Sequence, residues 1–218
     1  MNSGKFITLC GGEGTGKSTQ AKKLFDFFQE KNIPSVLTKE PGGTKIGMMI
    51  RKILLSPENS EIGNKTELLL YLSDRAEHFE KIVLPSLEKG ELVVCDRFID
   101  STLVYQGKVR KMGTRFINSA HEYILGDFLP DLTLILDSRP ELCLERISLD
   151  KNSGIRNEDE SRFDNEKLSF HKKIRKGFLE LAEEDKYNRF VLINAEKTAD
   201  EVFEQIKSVI YEKGIVKI

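Results

Sequence analysis

Five short apolar runs recur along the chain, and longer segments with helical periodicity separate them. Each run is continuously apolar rather than alternating, which is typical of strands covered on both faces in a parallel sheet. Alternating strands and helices of this kind predict an α/β fold. The predicted strands are Phe6–Cys10, Ser35–Thr38, Leu92–Cys95, Leu132–Asp137 and Phe190–Ile193.

Helical periodicity is clearest over Lys17–Glu30 and Thr66–Leu87, where apolar residues recur three or four positions apart. Near the end of the chain, Thr198 and Glu201 have the spacing of a capping box, which predicts that a helix begins there. The positions expected to face the core are Leu24, Phe27, Phe28, Leu68, Leu72, Phe79, Val83, Val202, Phe203, Ile206, Val209 and Ile210.

The segment from Lys151 to Lys167 differs from the rest of the chain. Its only large apolar residues are Ile155 and Phe163, and nine of its seventeen residues are charged. Such a segment is expected to contribute little core, so it is either a solvated surface loop or a mobile lid. We expect the lid at about residues 148–164.

Length and composition indicate one domain over residues 1–218, since 39% of the chain is hydrophobic. The formal net charge of −1 provides no basic field for a nucleic-acid partner. No stretch approaches the length of a membrane span, and the first residues lack the pattern of a secretory signal. Cys10, Cys95 and Cys143 are expected to be buried free thiols of a cytoplasmic protein.

The most specific single motif follows the first predicted strand. Residues Gly11–Ser18 have the sequence Gly-Gly-Glu-Gly-Thr-Gly-Lys-Ser, which matches the G-x-x-x-x-G-K-[ST] spacing of a phosphate-binding loop. Glycines allow backbone N–H groups to close around phosphate oxygens, and the next helix adds its positive dipole end. Lys17 can reach the β- and γ-phosphates of a nucleotide, and Ser18 can ligate Mg²⁺.

Candidate chemistry also follows the second and third predicted strands. Asp96 ends the third run in the arrangement of a Walker-B aspartate, which can hold Mg²⁺ through water. Arg97 beside it offers a fork of donors that suits a phosphate. Glu40–Thr44, with the sequence Glu-Pro-Gly-Gly-Thr, predicts a rigid turn at the carboxyl edge of the sheet, where α/β proteins bind ligands. A structural ion pair and a connecting turn are the alternative interpretations.

Tyr71 and Arg75 are four residues apart and therefore share one helix face. Such a pair can stack on a nucleobase and donate to its carbonyl group, or it can be a surface cation–π pair. The polar side chains that follow the third strand would lie beside the same cleft, and they are Ser101, Thr102, Tyr105 and Gln106.

Together these motifs resemble the thymidylate kinase family over nearly the whole chain. Many proteins share the glycine loop, but its combination with Glu-Pro-Gly-Gly-Thr, Asp-Arg-Phe and Tyr-Gln-Gly is specific. The segments that carry the resemblance are Gly11–Thr19, Glu40–Thr44, Tyr71 to Arg75, Asp96–Gly107, and Arg162–Asp164 with Phe170 and His171. The resemblance implies a three-layer P-loop NTPase fold of the nucleoside monophosphate kinase type, with a five-stranded parallel sheet flanked by helices.

The resemblance also implies transfer of the γ-phosphoryl group of ATP to dTMP, with Mg²⁺, which gives dTDP and ADP for dTTP synthesis. The implied catalytic residues are Lys17, Asp96, Arg97 and Arg162. The implied ATP-binding residues are Gly11, Gly12, Glu13, Gly14, Thr15, Gly16, Lys17, Ser18 and Thr19, with Ser18 and Asp96 on Mg²⁺. The implied dTMP-binding residues are Glu13, Glu40, Pro41, Tyr71, Arg75, Arg97, Thr102, Tyr105 and Gln106. A homodimer formed through helix faces is implied as well.

The resemblance assigns individual roles within the dTMP site. Arg97 would bind the dTMP phosphate, and Glu13 would lie near the 3′-hydroxyl. Tyr71 would stack on thymine, and Arg75 would donate to a thymine carbonyl. The remaining roles are contact with the N3 edge by Thr102 or Gln106, exclusion of a ribose 2′-hydroxyl by Tyr105, and closure of Arg162 over the transferring phosphoryl group.

The chain departs from the family pattern at a few positions. Cys10 stands where many relatives have glutamate, so a metal-support role is absent there, and Ser161 replaces the usual aspartate before Arg162. The glycine loop has no arginine, so the chain resembles the bacterial type with a lid arginine. The lid is longer than is typical, which leaves Arg156 and Arg162 as alternative lid cations.

Three other functions are compatible with part of the pattern. The nearest is a kinase for another nucleoside monophosphate. A GTP-binding switch protein would need an Asn-Lys-x-Asp motif, but Asn64–Glu67 comes early and lacks the aspartate. A nucleotide-binding module without turnover is the third, and the near-zero charge argues against nucleic acid as its partner.

Overall fold

The computed structural model of the protein describes residues 4–154 and 158–216. Within them, five parallel strands form one sheet in the order β2-β3-β1-β4-β5. The predicted α/β class is confirmed, and each strand lies within one residue of its predicted bounds. The strands are β1 (Lys5–Cys10), β2 (Ser35–Lys39), β3 (Leu92–Asp96), β4 (Leu132–Asp137) and β5 (Phe190–Asn194).

Helices cover both faces of the sheet. They are α1 (Lys17–Glu30), α2 (Lys45–Leu55), α3 (Asn64–His78), α4 (Leu84–Glu88), α5 (Ile99–Thr102), α6 (Thr114–Leu125), α7 (Pro140–Asn152), α8 (Leu168–Glu183) and α9 (Ala199–Glu212). A π-helical segment, Phe79–Val83, joins α3 to α4 without a break, so the single helix predicted over Thr66–Leu87 has an irregular centre. A second π-helical segment, Leu103–Val109, continues α5, and short 3₁₀ turns lie at Pro57–Asn59 and Glu158–Glu160.

Side chains of β1 alternate between the two covered faces of the sheet. Ile7 and Leu9 of β1 pack on the face covered by α1 and α9, whereas Phe6 and Cys10 pack on the opposite face. Burying each large apolar side chain stabilises the fold by about 1.5–3 kcal/mol. Because β1 pairs with β3 on one side and β4 on the other, it lies at the centre of the sheet. Its carboxyl end lies where the strand order reverses. Open α/β sheets bind ligands at this point.

The predicted capping box at the start of α9 is confirmed. Thr198 Oγ1 accepts from the Glu201 N–H at 3.3 Å, and the Glu201 carboxylate accepts from the Thr198 N–H at 3.0 Å. Of its predicted inward positions, Val202, Ile206 and Ile210 are buried. The remaining two, Phe203 and Val209, are partly buried against the same core.

The charged segment after α7 packs more closely than its composition predicts. Residues 161–164 are buried, and the Phe163 ring lies edge-on to Tyr105 with ring centroids 5.6 Å apart. The expectation that this segment contributes little core is therefore wrong at Phe163. Ile155 and Arg156 lie outside the described residues.

Two further sequence-based expectations concern the cysteines and the membrane. Cys10, Cys95 and Cys143 are buried free thiols, as predicted. Burial raises the pKa of the Cys10 thiol well above its ordinary value, and Asp100 raises that pKa further. In the parts of the chain that the structure describes, we find no helix with the length and apolar content of a membrane span.

Candidate active site

A cleft of about 940 Å³ opens at the carboxyl edge of the sheet. This volume is near the upper end of the range of about 300–1,000 Å³ that is typical of small-molecule sites. Most of the predicted site residues line it, namely Glu13, Gly14, Thr15, Gly16, Lys17, Ser18, Thr19, Glu40, Pro41, Tyr71, Arg75, Asp96, Arg97, Thr102, Tyr105 and Gln106. Gly11 and Gly12 line a small cavity behind the glycine loop instead.

The glycine loop joins β1 to α1 through residues with positive φ. Gly11 has φ 138° and Gly14 has φ 71°, conformations that favour glycine. A Cβ on Gly14 would also lie 3.1 Å from Ile147 Cγ1, so the loop can approach α7 closely only with glycine there. The loop therefore leads into α1 with the first N–H groups of the helix directed at the cleft, which suits an anion.

Lys17 is buried and lies against the loop that precedes it. Its Nζ donates to the Gly12 carbonyl at 2.5 Å. Burial lowers the pKa of Lys17 to about 8, and Arg97 also lowers it, whereas Asp96 and Glu13 raise it. A phosphate chain entering the cleft would favour the protonated amine, because it adds negative charge beside it.

Ser18 and Asp96 bring two oxygen ligands together at the metal position predicted from the sequence. Ser18 donates its hydroxyl to Asp96 Oδ2, and Asp96 Oδ1 is buried with no hydrogen-bond partner among the described residues. An unpartnered carboxylate oxygen beside a hydroxyl fits Mg²⁺, which takes few protein ligands and keeps waters and phosphate oxygens. Residues 4–154 and 158–216 contain no cluster of three or more His, Cys, Asp or Glu side chains that could hold a metal ion.

Arg97, Glu13 and Tyr105 form a hydrogen-bonded group in the cleft, in which Glu13 and Tyr105 are buried and Arg97 is partly buried. Arg97 Nη1 donates to the Gly11 carbonyl at 3.2 Å, and Nη2 donates to Glu13 Oε1 at 2.9 Å. The Tyr105 hydroxyl donates to the Glu13 carboxylate at 2.7 and 2.8 Å, and the Arg97 guanidinium lies 5.0 Å from the centre of the Tyr105 ring. Burial alone would raise the pKa of Glu13, but Arg97 and His171 hold it well below its usual range. Glu13 is therefore an ionised carboxylate that orients Arg97.

Arg75 is fully buried in the far wall of the cleft, where four of its donors are used. Its Nε and Nη2 donate to Glu40 Oε2 at 2.9 and 2.7 Å. Its Nη1 donates to Thr102 Oγ1 at 3.0 Å and to His121 Nε2 at 2.8 Å. Because a guanidinium has five N–H groups, one N–H on Nη2 is left for a ligand. The Glu40 carboxylate that fixes Arg75 also accepts from His78 Nδ1 at 2.8 Å.

Sequence reasoning missed the residues behind Arg75, and no local pattern marks them. His121 is buried, and desolvation together with Arg75 lowers its pKa to about 2, so its neutral ring accepts from Arg75. Asp74 Oδ1 accepts from the Gly42 N–H at 2.9 Å and thereby holds the Glu-Pro-Gly-Gly-Thr turn. Burial and the nearby Glu40 raise the pKa of Asp74 to about 6.

Tyr71 and Gln106 also line the cleft. Burial raises the pKa of the Tyr71 hydroxyl, and the ring packs against the apolar cluster that contains Tyr105 and Phe163. Gln106 is buried, and its Nε2 donates to Glu67 Oε1 at 2.8 Å. Stacking of Tyr71 on a base remains a prediction.

Arg162 lies outside the lining of the cleft. Its Nε donates to the Leu54 carbonyl at 2.5 Å, and its Nη2 lies 2.8 Å from Glu67 Oε2. Contact with a transferring phosphoryl group would require this buried ion pair to open. Arg156, the alternative lid cation, is outside the described residues.

Two other arginines do line the cleft. Arg51 of α2 donates to the Pro41 carbonyl at 2.9 Å and forms two hydrogen bonds with the Glu160 carboxylate at 3.0 and 2.7 Å. Arg146 of α7 donates to the Ala195 carbonyl at 2.8 Å. Arg51 was missed because no recognised motif contains it, although it follows the Glu-Pro-Gly-Gly-Thr turn by seven residues on the next helix.

Comparisons with known proteins agree on one family. The family model described as thymidylate kinase matches residues 10–206. The thymidylate kinase of Clostridium novyi is 44% identical over 208 residues, covering 95% of this chain and 98% of that protein. The thymidylate kinase of Desulforapulum autotrophicum is 44% identical over 203 residues, covering 93% and 89%. A crystal structure of thymidylate kinase from Ehrlichia chaffeensis superposes with a TM-score of 0.76 at 29% identity, covering 96% of this chain and 100% of that chain.

Proposed function

This chain belongs to the thymidylate kinase family, and we propose that its cleft transfers the γ-phosphoryl group of ATP to dTMP, giving dTDP and ADP. The observation that carries the proposal is that Lys17, at the start of α1, and Arg97, directly after β3, line one cleft at the carboxyl edge of the sheet. One cation is suited to the donor phosphates and the other to the acceptor phosphate.

The donor nucleotide is proposed to bind at the glycine loop. Backbone N–H groups of residues 11–19 would hold the ATP phosphates, and Lys17 would lie against the β- and γ-phosphates. Ser18 and Asp96 would hold Mg²⁺, which supplies charge neutralisation across the β- and γ-phosphates when bound. The unpartnered Asp96 Oδ1 supports this assignment.

The acceptor nucleotide is proposed to bind between Arg97 and Arg75. The Arg97 fork, oriented by Glu13, would hold the dTMP phosphate in line with the γ-phosphate. The free N–H of Arg75 would donate to a thymine carbonyl, and Tyr71 would stack on the ring. The acceptor phosphate is anionic near neutral pH, so it needs no general base, and catalysis consists of positioning and charge stabilisation.

Closure of the cleft is proposed to involve the segment at about residues 148–164 as a lid. Arg51, which lines the cleft and pairs with Glu160 on this segment, links the segment to the proposed phosphate site. Closing would exclude water from the transferring phosphoryl group. Arg162 or Arg156 would supply the lid cation.

A homodimer is proposed to form through α2, α3 and α6. These helices expose large apolar side chains that a solvated surface rarely gathers, and the residues are Ile46, Met49, Ile53, Leu69, Phe116 and Tyr123. The buried free thiols of the chain support the cytoplasmic location that we propose for the enzyme.

A substrate panel tests the proposed function. ADP release from ATP is measured with dTMP, dUMP, CMP, GMP and AMP as acceptors, and without an acceptor. We expect dTMP to give the highest kcat/KM, with dUMP a few-fold lower because the thymine methyl group contributes about 1 kcal/mol. A higher kcat/KM with a purine or cytosine nucleotide would favour the alternative, a kinase for another monophosphate. ADP release independent of any acceptor would refute both kinase functions.

A further inference from the structure

Glu67 is a buried carboxylate behind the wall of the cleft, and the proposed mechanism does not use it. It lies on α3, one helical turn before Tyr71, and its side chain is 1% exposed. It does not line the cleft itself. Its Oε1 accepts from Gln106 at 2.8 Å, and its Oε2 lies 2.8 Å from Arg162 Nη2. Glu67 therefore connects a cleft residue to the segment after α7.

The contact with Glu67 determines which way the Gln106 amide points. A carboxylate can only accept, so the amide nitrogen of Gln106 must face Glu67. This conclusion does not depend on how the oxygen and nitrogen of the amide are distinguished in coordinates. Because the amide is planar, its oxygen points away from Glu67. Gln106 lines the cleft, so its oxygen is the acceptor that it can offer to a ligand there, beside the one N–H of Nε2 that Glu67 leaves unused.

The wall of the cleft therefore carries a donor and an acceptor at fixed positions. Arg75 supplies the donor, since one of its N–H groups is left over by Glu40, Thr102 and His121. Gln106 supplies the acceptor. Thymine and uracil present the complementary pair, a carbonyl oxygen next to an N3–H. Cytosine presents the reverse pair, an amino group next to an N3 lone pair.

We propose that Glu67 is a positioning residue for base selection, which fixes the Gln106 amide so that its oxygen accepts from N3–H of the acceptor base. This inference rests on the proposed function, and it selects Gln106 over Thr102 as the N3 contact. Thr102 is the weaker acceptor, because its hydroxyl oxygen already accepts from Arg75 and keeps only one lone pair. Rejection of cytosine then depends on a residue that touches no substrate.

The substitution Glu67→Gln tests this inference. An amide at position 67 can donate as well as accept, so the Gln106 amide is free to turn and present its NH₂ to the base. We expect the ratio of kcat/KM for dTMP to that for dCMP to fall at least about tenfold, because a turned Gln106 amide can donate to the N3 lone pair of cytosine. The ratio for dTMP to dUMP should stay within about twofold, because both bases have N3–H.

A matched control separates amide orientation from loss of the ion pair. Arg162→Gln removes the same buried ion pair and keeps the Glu67 carboxylate. Loss of a lid cation would lower kcat for both acceptors alike, so the ratio of dTMP to dCMP should stay within about twofold of wild type. If Glu67→Gln does not fold because Arg162 is left unpaired, the double variant Glu67→Gln with Arg162→Gln removes that unpaired charge. Arg110, whose Nε lies 3.7 Å from Glu67 Oε1, keeps Glu166 as its partner. It is then compared with Arg162→Gln alone, and the same tenfold fall is expected.

Two results would overturn the inference. One is an unchanged ratio of dTMP to dCMP in folded protein that carries Glu67→Gln, and the other is an equal fall in Arg162→Gln. Wild-type protein that forms no dTDP would instead refute the proposed function, so the two failures are distinguishable.

Discussion

Arg97 Nη2 lies 2.9 Å from Glu13 Oε1, so a carboxylate of the glycine loop orients the guanidinium that we assign to the acceptor phosphate. The two proposed nucleotide sites are thus joined by one hydrogen-bonded ion pair rather than by flexible chain. Tyr105 adds a hydrogen bond to the same carboxylate at 2.7 Å. The glycine loop and the Arg97 guanidinium are therefore held in a fixed relative position.

Replacing Arg97 should mainly impair acceptor binding. Because charge-assisted hydrogen bonds contribute about 1.5–3 kcal/mol each, Arg97→Ala should raise KM for dTMP at least about 100-fold. KM for ATP should change much less. Steady-state kinetics measures both constants. Arg139→Ala, which removes an exposed arginine paired with Glu196, is the matched control, and normal dTMP kinetics in Arg97→Ala would refute the assignment.

The Tyr105 ring should exclude a ribose 2′-hydroxyl. Tyr105→Ala opens space beside the sugar, so the preference for dUMP over UMP in kcat/KM should fall at least about fivefold. Tyr105→Phe keeps the ring and loses only the hydroxyl that bonds Glu13, so it should retain the preference. An undiminished preference in Tyr105→Ala would show that the ring does not exclude the hydroxyl.

The depressed pKa of Lys17 predicts a pH dependence of ATP binding. Burial lowers this pKa to about 8, so the free enzyme loses the positive charge of Lys17 as the pH rises through that value. The value of kcat/KM for ATP should therefore decline above about pH 8, whereas kcat should decline only at higher pH because bound phosphates raise the pKa again.

Lys17→Arg is the control for this profile. Arginine stays protonated throughout, so the alkaline decline of kcat/KM should disappear even where the absolute rate is lower. A wild-type profile for kcat/KM that is flat through about pH 9 would contradict the assignment of this pKa to Lys17.

Asp74 predicts a pH-dependent stability difference. Its pKa is raised to about 6 by burial and by Glu40, above the value of about 3.9 in an unfolded chain. The folded state therefore binds the proton more tightly, and the contribution of Asp74 is fully present below about pH 4 and is lost as the pH rises through about 6. An asparagine at position 74 does not titrate, so Asp74→Asn does not lose stability in this way as the pH rises.

Urea unfolding measures the effect. Relative to wild type, the free energy of unfolding of Asp74→Asn should rise between about pH 4 and pH 7, by up to about 3 kcal/mol. Asp127→Asn, at an exposed position, should show no such trend. A constant difference between Asp74→Asn and wild type across this range would mean that Asp74 does not titrate in the folded state.

Local patterns were sufficient for the five strands and for the helical segments at α1, α3 and α9, but not for α2, α6, α7 and α8. The strands were predicted within one residue, α1 at its observed bounds, and the capping box at Thr198 with its partner Glu201. These features depend on residues within a few positions of each other, where spacing carries the signal. The motifs after β1, β2 and β3 converge because parallel strands end at one edge.

The contacts that orient the site were beyond local patterns. Glu13 and Tyr105 are 92 residues apart, and the partners of Arg75 come from three other segments of the chain. The π-helical segment around Tyr105 also has no periodic signature, although it allows the adjacent Gln106 to line the same cleft. The resemblance placed Arg162 in the cleft. In the structure Arg162 pairs with Glu67, and this contact depends on tertiary packing that no local pattern shows.

A crystal structure with dTMP and a non-hydrolysable ATP analogue tests the central claim most directly. The account predicts the γ-phosphate at Lys17, the dTMP phosphate on the Arg97 guanidinium in line with it, and thymine between Tyr71 and Arg75. Binding of dTMP elsewhere, or with its phosphate directed away from Arg97 and the γ-phosphate, would contradict the account.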